Sequence, residues 1–139
     1  MTDIIGAMYS HLDPDRAKDF AMDNEQMLNL AQTFVSSLEN DLQSVQQALA
    51  AEDMAALHRL LHTLKGYVTF LCKDALGQQL IALEAGSRNS DFAQLKPRVD
   101  AMLPVLNGLY SEVLHWKTTV LQHPSLLLRI SLINRLYYL

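Results

Sequence analysis

The sequence predicts an all-α fold, an antiparallel up-and-down four-helix bundle with a short N-terminal helix and an additional C-terminal helical tail. Apolar residues recur at i, i+3, i+4 and i+7 spacing through four successive segments. The breaks between them are short and carry Asp, Ser, Asn and Gly, and no stretch alternates apolar and polar residues as a half-buried strand would. Short connections make successive helices antiparallel neighbours, which is what closes a bundle. With 139 residues, half of them apolar, the chain suits one domain built on one core, with the bundle over about 24–122 and an extension over 123–139.

The elements follow in chain order. Asp13 before Pro14 reads as a helix start, with an acceptor side chain at the N-cap and a proline in the first turn, and this short helix is expected to lid the bundle. From Asn24 to Ala50 the positions Met27, Leu30, Phe34, Val35, Leu38, Leu42, Val45 and Leu49 form one stripe of a long helix. Glu52 and Asp53 interrupt it, and Asp53 is placed to cap a second helix from Met54 to about Leu71. Asp74 is expected to cap the third helix, which carries Leu76, Leu80, Ile81 and Leu83 and ends in the loop-like run from Gly86 to Ser90. The fourth begins near Asp91 and continues through Leu95, Val99, Met102, Leu106, Leu109, Val113 and Leu114. Pro97 fits its first turns, and Pro104, which cannot donate to Asp100, should bend it.

The second helix has a face that packing does not explain. At about 100° per residue, Leu57, Leu60, Leu64, Tyr67, Val68 and Leu71 share an apolar band, and His62 lies opposite its centre. Around His62 fall Ala55, His58, Arg59, Lys65, Gly66, Thr69 and Lys73, so the imidazole is exposed on a basic face with little bulk on one side. A mid-helix glycine costs about 1 kcal/mol relative to alanine, so Gly66 needs a reason. The reason is either access for a partner or the close packing of another helix. Lys65 stands where its ammonium can reach an anion held on the ring.

The run His62, Thr63, Leu64, Lys65, Gly66 resembles the HxLKG motif of histidine-containing phosphotransfer (HPt) domains, the four-helix carriers of multi-step two-component phosphorelays. Phe34 to Leu38 and the long helix after them resemble the first bundle helix of that family. The linker before the motif helix resembles its short turn, and Ala82, Leu83 and Glu84 resemble the end of its third helix. The likeness covers roughly residues 20 to 115. The chain departs from the pattern at Tyr67, where a small residue is usual, and at Cys72, where a glycine is expected.

The resemblance implies that His62 is the phosphoacceptor and Lys65 the cation for the phosphoryl oxygens, with His58, Arg59, Gly66, Thr69, Phe70 and Lys73 forming the receiver-docking surface. The implied partners are response-regulator receiver domains and a hybrid sensor histidine kinase. No cofactor of its own is implied, Mg²⁺ being expected in the partner receiver. No nucleotide-binding motif or acid pair is visible, so the chain reads as a phosphorelay carrier without its own kinase activity. His58 and His62 have the i, i+4 spacing of a metal pair, but neither Asp nor Glu shares their face on this helix, and no metal site is expected.

Composition excludes other classes. A net charge of −4 argues against a general nucleic-acid binder. One cysteine, Cys72, cannot form an intramolecular disulfide and reads as a small buried hydrophobe, and no cleavable leader opens the chain, so the expected compartment is the cytoplasm. No apolar run is long enough for a membrane span. Two rival classes stay open: a receiver- or kinase-binding helical module that transfers no phosphate, and a helical scaffold or oligomerisation domain. The second would work through the apolar tail after Pro124, which either packs back on the bundle or mediates self-association.

Overall fold

The computed structural model describes residues 8–122, so the expectation for the C-terminal tail lies outside the described residues. Four α-helices follow a short 3₁₀ helix at Pro14–Asp19: α1 Asn24–Ala50, α2 Met54–Val68, α3 Asp74–Ser87 and α4 Phe92–His115. A π-helical turn, Trp116–Leu121, continues from α4. Helix α2 packs between α1 and α3, and α4 closes the ring against α1 and α3. The four-helix bundle is therefore the one the periodicity predicts.

Aspartates start most of the elements. The side chain of Asp23 accepts from Gln26 N at 2.8 Å, Asp53 from Ala56 N at 3.0 Å, and Asp91 forms a reciprocal capping box with Gln94. The expected cap at Asp74 is corrected. Lys73 occupies the N-cap of α3 without a side-chain bond, and Asp74, in the first turn, pairs with Arg16 instead. Helix α4 runs unbroken through Pro97 and Pro104, both on its exposed side, where the carbonyls they leave unpaired face water.

The core is apolar and contiguous. It takes Phe34, Leu38, Leu42 and Val45 from α1, Leu57, Leu61, Leu64 and Val68 from α2, Leu76, Leu80 and Leu83 from α3, and Leu95 through Val113 from α4. Leu61, 1% exposed, takes a central place and Leu60 the margin. Ile81 lies on the surface at 42% exposure, because α3 turns Leu76, Leu80, Leu83 and residue 84 inward and position 81 falls about 100° from Leu80.

Two local features depart from the expected outline. The N-terminal helix is a single 3₁₀ segment, preceded by extended chain in which Leu12 pairs antiparallel with Cys72. Asp13 N donates to Leu71 O at 2.7 Å and Lys73 N to His11 O at 2.8 Å. Helix α2 ends at Val68 rather than Leu71 because other groups claim its last carbonyls. Thr69 Oγ1 takes Lys65 O at 2.8 Å, and the Arg16 guanidinium takes Thr69 O at 3.0 Å.

Candidate functional site

His62 stands on the exposed side of α2, its side chain 63% exposed, because Leu61, Leu64 and Leu57 take the buried side. Its ring is nevertheless held. Nδ1 lies 3.3 Å from Oε1 of Glu84, which α3 brings across from the neighbouring helix. Glu84 is 3% exposed and gathers three nitrogen groups: His62, Lys65 Nζ at 3.4 Å on Oε2, and Arg88 Nη2 at 2.8 Å on Oε1. The hydrogen bond from Arg88 is the main cause that holds its carboxyl down at about 2. Desolvation opposes it, and the His62 bond and the charges of Arg88 and Lys65 add to it.

An ionised carboxylate can only accept a hydrogen bond. In the neutral ring the proton therefore sits on Nδ1, and Nε2 keeps its lone pair. A nitrogen with a free lone pair can serve as a nucleophile, and here its orientation is set by a partner on another helix.

His58, one turn earlier, is held in a similar way by α3. Ser87 Oγ donates to the carbonyl of Glu84 at 2.6 Å, which leaves the hydroxyl to accept from His58 Nδ1 at 2.8 Å. Arg59 is exposed and makes no ion pair among the described residues. Gly66 is open: a methyl group built on it meets nothing within 4 Å among the described residues, so none of them supplies the close-packing reason for this glycine.

The other expected site residues are spread further along the face. Thr69 is half-buried against the Arg16 anchor. Phe70 is exposed and packs its ring on Phe20, centroids 4.9 Å apart. Lys73 reaches the other way, its ammonium on the carbonyl of Tyr9, so it fastens the N-terminal segment. Tyr67 lies at the edge of the core, edge-on to Phe34, with its hydroxyl donating to Asp41 at 2.7 Å. Burial first, then Asp41, push its phenol far above its ordinary range. Burial likewise pushes the Cys72 thiol up to about 11, so it is no ready nucleophile.

The family model for the Hpt domain matches residues 29–116. The chain belongs to the Hpt domain family. No curated protein and no solved structure matched it. Hpt domains are phosphorelay carriers rather than kinases, and membership implies a phosphotransfer role with two-component phosphorelay partners. Among the described residues, no helix is long and apolar enough to cross a membrane.

Glu84, Arg88 and Phe20 are parts of this face that reading along α2 did not supply. For Glu84 a signal existed in the Hpt sequence itself: it lies four residues after Leu80 and eight after Leu76, on the buried stripe of α3. A carboxylate there requires cations to meet it. Arg88 was hidden in loop-like composition, and Phe20 depends on how the chain before α1 folds back.

Proposed function

We propose that this Hpt domain carries a phosphoryl group on Nε2 of His62 between the aspartates of receiver domains, one belonging to a hybrid sensor histidine kinase and the other to a response regulator. The observation that carries the reading is the His62–Glu84 contact, which fixes the ring on Nδ1 and presents Nε2 to solvent beside the open turn at Gly66. Nε2 bonds to phosphorus as the P–O bond of the aspartyl phosphate breaks, and the aspartate leaves with the electron pair. The ring becomes cationic and keeps its Nδ1 proton against Glu84, whose charge stabilises it as it forms. Lys65 moves from Glu84 to the phosphoryl oxygens. The receiver supplies Mg²⁺.

Docking is assigned to the surface around His62: His58 and Arg59 upstream, Gly66 for close approach, then Thr69 and Phe70, with Phe20 extending the apolar margin. Lys73 supports that margin from below through the N-terminal segment. The test is incubation with phosphorylated receiver domains. Acid-labile, base-stable phosphate should appear on His62 and be absent from His62→Gln, whose melting temperature should stay within a few degrees of the parent because the side chain is mostly exposed. Full labelling of that variant would refute the assignment.

A further inference from the structure

One oxygen of Glu84 serves two donors. Arg88 Nη2 meets Oε1 at 2.8 Å and His62 Nδ1 meets the same atom at 3.3 Å, while Lys65 Nζ takes Oε2 at 3.4 Å. Because the carboxylate is 3% exposed, water screens it little and its charge acts on whatever stands beside it. Unopposed at this distance, it would favour the imidazolium. A ring protonated on both nitrogens has no lone pair for phosphorus. Without the carboxylate, the ring would lose the acceptor that orients it. Transfer therefore needs the charge of Glu84 present but divided.

We propose that Arg88 is a positioning residue for phosphoryl transfer: by taking the shorter bond to Glu84 Oε1 it divides the carboxylate charge between itself and His62, whose ring stays oriented with Nε2 turned to the incoming phosphoryl group. The proposal rests on His62 being the nucleophile. Arg88 is well placed for the task, four residues after Glu84 and at the C-cap of α3, where helix geometry brings the two side chains together. Among the described residues, the other charged or titratable groups near His62 on its own helix are Lys65, His58 and Arg59. Asp41 of α1 is engaged by Tyr67, about 140° around α2 from His62.

The experiment uses phosphoramidate, a small phosphoryl donor that needs no receiver: Nε2 bonds to phosphorus as the P–N bond breaks and ammonia leaves. The rate of His62 phosphorylation is measured from pH 5 to 9 for the parent, Arg88→Gln and Arg88→Lys, and each variant is divided by the parent at each pH. Arg88→Gln should be about three- to tenfold slower on the acid side and should converge with the parent near pH 9. Arg88→Lys, which keeps the charge, should stay within about twofold throughout. Arg88 is more than half exposed, so both variants should fold, and circular dichroism checks this. A ratio of one at every pH, or the same reduced ratio at every pH, overturns the proposal, since a merely structural role would not follow the ring's protonation. Labelling of His62 by phosphoramidate but not by any receiver would instead strike the phosphorelay reading and leave the Arg88 result to stand by itself.

Discussion

Nδ1 of His62 lies 3.3 Å from a carboxylate oxygen of Glu84, 22 residues further along the chain and on the next helix. Through this contact a surface histidine acquires one defined tautomer and one free nitrogen, and the consequences below start from it.

Replacing Glu84 with Gln should slow phosphorylation of His62 several-fold, because an amide neither fixes the Nδ1–H tautomer nor opposes the ring's positive charge. The same variant has a signature in acid. The Glu84 carboxyl is lowered from 4.5 to about 2 in the fold, so its contribution is fully present above about 4.5 and is lost as pH falls through about 2. Thermal melts from pH 5 down to 2 should therefore fall less steeply for Glu84→Gln than for the parent. Parallel acid limbs would show that Glu84 is not held as the structure has it.

Lys65 meets Glu84 at 3.4 Å, loosely enough to change partners. If it follows the phosphoryl group, Lys65→Ala should slow transfer from a receiver at least tenfold while weakening receiver binding far less, since the charge it answers develops during transfer. Rapid-quench transfer assays beside binding titrations separate the two. Equal losses in both would reduce Lys65 to a docking contact.

At Gly66 none of the described residues supplies the packing alternative, because an added methyl group meets none of them within 4 Å. Gly66→Ala should raise stability by up to about 1 kcal/mol through helix propensity. Gly66→Gln should fold as well but obstruct the receiver, lowering binding and transfer together. Differential scanning calorimetry of both variants with receiver titrations checks this, and normal transfer by the glutamine variant would deny that the glycine serves access.

Helix α1 ends in a turn that normally asks for glycine. Glu52 has φ of 52°, and Asp53 N returns to Ala48 O at 2.9 Å while Glu52 N bonds Leu49 O at 3.2 Å. A side chain in this left-handed conformation costs about 1 kcal/mol, so Glu52→Gly should stabilise the bundle by about 0.5–1 kcal/mol and raise the melting temperature by a few degrees. A lower melting temperature would mean that the glutamate makes a compensating contact.

What the sequence determined by itself is everything that follows from periodicity and short-range chemistry. The stripes Phe34 to Val45, Leu57 to Val68 and Leu95 to Val113 specify helices and their buried sides, and Asp13, Asp53 and Asp91 cap from two or three residues away. The exposure of His62 and its nearness to Lys65 and Gly66 belong to the same class, since all three lie within two turns of one helix. Tertiary structure alone decided what meets that face. The register of α3 against α2 puts Glu84 under His62 and Ser87 under His58, the C-cap of α3 sends Arg88 back to Glu84, and the chain before α1 ends α2 at Val68 and lays Phe20 on Phe70. Apart from Arg88 and Glu84, four residues apart on α3, those contacts join residues about 20 to 50 apart in the chain. They depend on how two amphipathic surfaces interlock, a matter of side-chain packing between helices that the periodicity of each helix alone does not contain.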